Sequence, residues 1–233
     1  MTIVITGASR GLGFSMAEAF AAEGHNLYLT ARNEVRLYNA LESLQSRFPD
    51  QVIKAKPFDL ASKQGALDFG NWILEQKLVP DILINNAGSF EPGSIYNEPD
   101  GQLETMLQTN FLSAYHITRL LLPPMIKRKS GHIFNISSIA ALQAYPNGGS
   151  YSISKYALTG FSKNLREELK PFSIKVTCIY PGAVFTDSWA GSGVKPERVL
   201  KSSDIAETIV QISKLSPQAV VEDLVIRPLL GDL

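Results

Sequence analysis

Three glycines, Gly7, Gly11 and Gly13, stand directly between a β-branched run that ends at Thr6 and an amphipathic stretch that begins at Leu12. Such a junction suits a strand that turns at once into a helix. Gly7 lets the backbone turn tightly, and Gly11 lets it approach a bound group with no side chain in the way. Gly13 allows the helix to pack closely on the strand. The helix amino end then faces the turn, where its open N–H groups and its dipole suit a pyrophosphate. The spacing is Gly-x-x-x-Gly-x-Gly, so the more general G-x-G-x-x-G fingerprint is not strictly met. What gives the motif weight is its place between strand and helix near the start of the chain.

The same alternation runs from end to end. Apolar runs predict strands at Ile3–Thr6, Leu27–Thr30, Val52–Pro57, Ile82–Ile84, His132–Ile136, Ile174–Ile179 and Val220–Ile226. Their β-branched content and lack of strict alternation fit strands buried on both faces. Helix-like stretches lie between them, at Leu12–Glu23, Glu34–Phe48, Leu103–Arg128 and Ser152–Leu169. In the last, Leu158, Phe161, Leu165 and Leu169 repeat at helical spacing. Strand–helix alternation of this kind makes a doubly wound α/β fold, a parallel Rossmann sheet of about seven strands flanked by helices. No linker, repeat or low-complexity segment divides the 233 residues, so residues 1–233 read as one domain.

Composition narrows the partners. The 22 basic and 22 acidic side chains cancel, which argues against nucleic acid as the main partner. The cluster Lys127-Arg128-Lys129 reads as a solvated helix end whose cations complement the dipole. Cys178 has no second cysteine to pair with and reads as an inert strand residue. No metal site is expected. Arg119 and Pro123-Pro124 interrupt the most apolar stretch well short of the ~18 residues of a membrane span. With the first strand starting at once, no signal or transit peptide is expected, and the location reads as cytoplasmic.

The chemistry sits further along, in Ser138, Tyr151 and Lys155. Tyr151 and Lys155 lie four apart at the head of a predicted helix, so their side chains share a face. A free tyrosine titrates at about 10 and is a poor acid–base partner near neutrality. A lysine cation beside it would favour phenolate and lower that value. Ser138 is placed at the end of the fifth strand, on the carboxyl edge where open α/β sheets bind ligands. There its hydroxyl can donate to a substrate oxygen as charge develops.

These motifs resemble the short-chain dehydrogenase/reductase family in its unextended branch. That branch carries Thr-Gly-x-x-x-Gly-x-Gly, as from Thr6 to Gly13, and Asn-Asn-Ala-Gly after the fourth strand, as at Asn85-Asn86-Ala87-Gly88. An asparagine on the long helix is matched by Asn110, and a serine thirteen residues before Tyr-x-x-x-Lys by Ser138. Pro-Gly after the sixth strand, with a threonine soon after, is matched by Pro181-Gly182 and Thr186. The match spans residues 2 to about 190. It implies that Lys155 also holds the ribose hydroxyls and that Asn110 orders a water linking Lys155 to solvent. It places Asn86, Ala87 and Gly88 against the adenine side and the sheet, with Asp59 and its neighbour Leu60 at the adenine. Ser9, Arg10 and Leu12 in the turn, and Val184 after the sixth strand, complete the implied cofactor set with Tyr151 itself.

The reading that follows is an NADPH-dependent carbonyl reductase acting on a small ketone or aldehyde. An NAD-specific site usually carries an acid about 20 residues beyond the glycines. Here Ala31 stands at that place, and Arg32 and Arg10 can reach a 2′-phosphate. A lid at about 183–203 is expected over the substrate, with Phe185 and Trp189 as walls and Ser89, Phe90 and Tyr145 opposite. The segment after Pro181 and the ending around Val220–Pro228 look similar to bacterial sepiapterin-reductase-like enzymes. A 3-oxoacyl-carrier-protein reductase is the alternative, and a non-catalytic NADP-binding regulator is an alternative of another class. An extended-branch epimerase is disfavoured by the glycine spacing and the short chain. The two long helices carry apolar residues beyond what one sheet contact needs, and relatives pair them across a two-fold axis. A homodimer or homotetramer is therefore expected.

Overall fold

The computed structural model of the chain describes residues 1–186 and 193–232. Seven strands form one parallel sheet in the order β3-β2-β1-β4-β5-β6-β7. They are β1 (Thr2–Thr6), β2 (Asn26–Thr30), β3 (Ile53–Ala55), β4 (Ile82–Asn85), β5 (Gly131–Ile136), β6 (Ile174–Pro181) and β7 (Asp223–Ile226). The chain winds outward from β1 to β3, then returns to β4 on the other side of β1 and winds outward again. Between β1 and β4 the direction of winding reverses, and a crevice opens there at the carboxyl edge.

Helices cover both faces: α1 (Gly11–Ala22), α2 (Glu34–Arg47), α3 (Lys63–Glu75), α4 (Gln102–Leu107), α5 (Ser113–Arg128), α6 (Gly149–Leu169) and α7 (Ser202–Ser213). In β1, Ile3 and Ile5 join one core with Phe20, Leu37 and Ile209, while Val4 joins the other with Phe69, Ile117 and Leu165. Successive strand side chains point to opposite faces, and each face has its own layer of helices. This is why the strand sequences show continuous apolar runs in place of alternation.

Two expectations are corrected and a third is extended. Pairing in β3 covers only Ile53–Ala55, and β7 begins at Asp223 and not at Val220. Both are edge strands, where a run of apolar residues overstates the ladder. The predicted single helix from Leu103 to Arg128 is interrupted by a π-helical turn at Gln108–Leu112 between α4 and α5. A wider turn admits an extra residue without breaking the apolar pattern, so periodicity cannot show it. Finally, Lys127-Arg128-Lys129 is the exposed end of α5 as expected, but Arg128 is also bonded to the fold. It donates to the carbonyls of Val79 and Pro80 at 3.0 and 2.6 Å and pairs with Asp81 at 3.0 Å. Asp81 in turn accepts from the Thr2 N–H at 2.7 Å, so the cation ties the end of α5 to the starts of β4 and β1.

Candidate active site

The loops after β1 and β4 are sewn together by one hydroxyl. Thr6 Oγ1 accepts from the N–H groups of Asn86 and Ala87, each at 2.9 Å. Asn86 Nδ2 returns bonds to the carbonyls of Thr6 and Gly7 at 3.0 and 3.2 Å. Gly7 and Gly11 hold φ of +67° and +55°, a region that favours glycine. Gly13 is needed for space: a Cβ there would lie 2.1 Å from the Gly7 carbonyl oxygen. The start of α1 has no side-chain cap among the described residues and no acid in its first turn. A helix start of this kind beside a glycine turn fits the pyrophosphate of a dinucleotide. Thr186 closes the far side, its methyl 3.2 Å from where a Gly11 Cβ would stand.

Ala31, directly after β2, is buried, and Arg32 and Arg10 are exposed. Ser9 is partly buried inside the turn. Asp59 uses one carboxylate oxygen on the Ala61 N–H at 3.1 Å, bracing the turn before α3. The Leu60 side chain packs in the core with Phe69 and Ile73, so only its backbone faces the crevice side. Leu12 packs against the opposite core.

Ser138 lies two residues beyond β5, in extended backbone, and its hydroxyl accepts from the Ala140 N–H at 3.1 Å. Tyr151 and Lys155 project from the first two turns of α6. Lys155 is 5% exposed, donates to the Ile136 carbonyl at 2.8 Å, and stands 5.8 Å from the centre of the Tyr151 ring. Burial pushes Lys155 down to about 8 from its ordinary 10.5. Burial also pushes the Tyr151 phenol up to about 12, against a hydrogen bond to Ser138 that lowers it, with Tyr145 adding a smaller upward push. Burial is the largest influence on the phenol and acts upward, opposite to the lowering expected of a lysine cation.

Asn110 sits on the π turn, 1% exposed. Its Oδ1 accepts from the Ser89 N–H at 2.8 Å and its Nδ2 donates to the Ser89 carbonyl at 3.0 Å and to Ser154 Oγ at 2.9 Å. Ser154 then donates to the Tyr151 carbonyl at 2.7 Å. Gly88 threads between Asn110 and Lys155: a Cβ there would lie 3.0 Å from Asn110 Oδ1 and 3.6 Å from Lys155 Nζ. Sequence reasoning missed Ser154, although its place between Tyr151 and Lys155 on the helix was the available signal. It also missed Ser137, whose hydroxyl donates to the Lys155 carbonyl at 3.2 Å.

Of the expected pocket walls, Phe90 meets the Tyr151 ring edge-on, with centroids 4.9 Å apart and planes at 83°. Tyr145 is close enough to act on the phenol. The Ser89 hydroxyl instead turns toward Met106 Sδ at 3.9 Å, leaving that residue to contribute backbone. Phe185 is half exposed, and its N–H bonds the Leu200 carbonyl at 2.7 Å, beside a short bridge between Val184 and Leu200. These contacts join the two ends of the expected lid, whose last residues already belong to α7. Trp189 lies outside the described residues. Gly182 packs under Pro228 and Asp232 of the carboxyl-terminal segment, and Pro181 closes β6.

The chain belongs to the short-chain dehydrogenase/reductase family: residues 1–195 match the family described as short chain dehydrogenase. It is similar to the 3-oxoacyl-[acyl-carrier-protein] reductase of Chlamydia trachomatis, 33% identical over 190 residues, 80% of this chain and 75% of that one. Its fold matches an alcohol dehydrogenase from the archaeon Thermococcus sibiricus complexed with 5-hydroxy-NADP, with a TM-score of 0.90 at 26% identity, covering 100% and 98% of the two chains. L-sorbose reductase from Gluconobacter frateurii, complexed with NADPH and L-sorbose, gives a TM-score of 0.88 at 28% identity over 97% and 94%.

The Lys155 shift makes a stability prediction with a definite sign. Below about 8 both folded and unfolded chains carry the proton, and burying the cation opposes folding by about 3 kcal/mol. Between about 8 and 10.5 the folded chain loses its proton first, and that penalty is relieved. Lys155→Met has no proton to lose. Urea unfolding should therefore show wild-type stability, relative to Lys155→Met, rising as pH moves up through this window. A flat or falling difference would contradict the assignment.

Proposed function

We propose that the protein is an NADPH-dependent carbonyl reductase that converts a ketone or aldehyde of a small molecule to an alcohol. The observation that carries this reading is the geometry at the head of α6: the Tyr151 ring stands 5.8 Å from the buried Lys155 ammonium, with Phe90 edge-on against it. NADPH, when bound, supplies the hydride to the carbonyl carbon. Ser138 donates to the carbonyl oxygen as negative charge develops on it. Tyr151 passes its proton to that oxygen, and Lys155, 5.8 Å from the ring, stabilises the phenolate left behind. With the cofactor bound, Lys155 would also hold its ribose hydroxyls, and Asn110 would order a water linking Lys155 to solvent.

The cofactor assignment is supported by the glycine turn, by the NADP and NADPH complexes of the two similar structures, and by Ala31 with Arg32 and Arg10. It is also supported by the closeness of Thr186 to Gly11 and by the bonds that hold Asn86 and Ala87 against Thr6. A sepiapterin-reductase-like carbonyl compound remains the favoured substrate, because Phe90 and Tyr145 offer aromatic walls. The similarity to a 3-oxoacyl-carrier-protein reductase supports the alternative, an acyl thioester. A non-catalytic regulator would have no use for a buried, protonated phenol. We place the enzyme in the cytoplasm, as a homodimer or homotetramer built on α5 and α6; among the described residues no helix is long and apolar enough to cross a membrane.

Three outcomes test this. Tyr151→Phe should bind NADPH normally yet lose ~100- to 10,000-fold in reduction rate across a panel of diketone, pterin and acyl-thioester substrates; a mutant with more than a tenth of wild-type turnover refutes the proton donor. Wild type should prefer NADPH over NADH by at least ~10-fold, about 1.4 kcal/mol, and Ala31→Asp with Arg32→Ala should move it toward NADH in fluorescence titration. Equal affinities in the wild type would remove the case for a 2′-phosphate site. Light scattering at micromolar concentration should return a multiple of 25.5 kDa; a monomer's mass would exclude the symmetric assembly.

A further inference from the structure

Helix α6 carries Tyr151 in its first turn, and its cap position is held by Gly148, which has no side chain to satisfy the open N–H groups. The cap comes from elsewhere. Glu98, 52 residues earlier, accepts from the Ser150 N–H at 3.2 Å through Oε2 and from the Ser150 hydroxyl through Oε1. Ser150 is completely buried and directly precedes Tyr151. Gly149, at φ +34°, leaves the carboxylate room: a Cβ there would stand 2.7 Å from Glu98 Oε2 and 2.4 Å from the Gly93 carbonyl.

Two further bonds fasten the same loop to the approach of α6. The Gly93 N–H donates to the Asn147 carbonyl at 3.2 Å, and Ser94 Oγ donates to Asn147 Oδ1 at 2.8 Å. The loop begins at Phe90, which touches the Tyr151 ring, and leads through α4 to Asn110, which holds Ser154. Tyr151 is thus gripped from both sides by one continuous stretch of chain, and Glu98 supplies the only charged group among the described bonds of that grip.

We propose that Glu98 is a positioning residue for the reduction: its carboxylate caps α6 from across the chain and sets the Tyr151 phenol against Ser138. The inference rests on Tyr151 being the proton donor. An anion at a helix start stabilises the first turn through both the hydrogen bonds and the dipole. A proton donor must also sit within hydrogen-bond reach of its target, and a displacement of about 1 Å costs on the order of 100-fold in rate.

The test compares Glu98→Ala, Glu98→Gln, Ser150→Ala and Glu98→Ala/Ser150→Ala with wild type, using NADPH and the best substrate of the carbonyl panel. Glu98→Ala should lower kcat by about tenfold or more while KM for NADPH stays within about twofold, since the cofactor cradle lies across the crevice. Glu98→Gln keeps an acceptor and should lose less. Adding Ser150→Ala to Glu98→Ala should lower kcat no further, because the two act as one unit. Amide hydrogen exchange at residues 150–152 should quicken in Glu98→Ala, whatever the reaction is. Unchanged kcat in both Glu98 variants, additive losses, or a parallel rise in KM for NADPH would each overturn the proposal. An active Tyr151→Phe would instead sink the reading beneath it, while the exchange measurement would still judge the cap.

Discussion

The Thr6 hydroxyl is the contact on which the site depends. It accepts two backbone N–H groups from the loop after β4 at the point where the winding of the sheet reverses. Without it, two strand ends would part and leave buried donors unmet, at about 1–3 kcal/mol each. With it, the glycine turn and the Asn86–Gly88 segment form one rigid floor. Gly13 completes this floor by letting α1 close on the Gly7 carbonyl, where any side chain would collide. Beyond Gly88 the chain runs to Ser89, which Asn110 holds, and Asn110 reaches Ser154 under Tyr151. The glycine turn and Tyr151 are therefore linked by a short path of backbone and hydrogen bonds.

The electrostatics of the acid follow from burial. Taking Lys155 and Tyr151 out of water disfavours both charged forms, so the lysine falls to about 8 and the phenol rises to about 12. Cys178 offsets the lysine's shift only in small part. Such a pair is poised for change, because a newly arrived charge or hydrogen-bond donor in the crevice meets little competing solvent. Ser138 is the one influence that lowers the phenol, and in the proposed reaction it would also meet the substrate oxygen.

Much of this was legible in the sequence because it is written in residue types that have few other uses. Glycines at fixed spacing and Asn85-Asn86 marked the joint between the loops after β1 and β4, and a tyrosine four before a lysine marked the buried pair on α6. The seven strands were readable because burial on both faces leaves unbroken apolar runs. The π turn was not, since an inserted residue leaves the apolar stripe of α4 and α5 continuous. The bonds of Arg128 and the upward shift of Tyr151 were not legible for a shared reason: each depends on what the tertiary fold brings near, whether backbone carbonyls for the arginine or dry surroundings for the phenol. Glu98 escaped notice because its partner lies 52 residues away and nothing in Ser94–Asp100 marks one acid above another.

The two halves of the crevice are built from different materials. Backbone and glycine make the cofactor side, where a side chain is mostly an obstruction, and the geometry leaves little room for substitution. Side chains on loops make the other side: Phe90 and Tyr145 come from separate segments, and Phe185 from a lid whose ends meet at Leu200. Changes there alter shape and polarity without disturbing the Thr6 joint. The loop from Phe90 to Asn110 belongs to both halves, since it shapes the pocket at one end and supports the acid at the other. Its bonds to Asn147 and Ser150 keep the wall at Phe90 in register with the first turn of α6, so the side chains of that wall can change without displacing Tyr151.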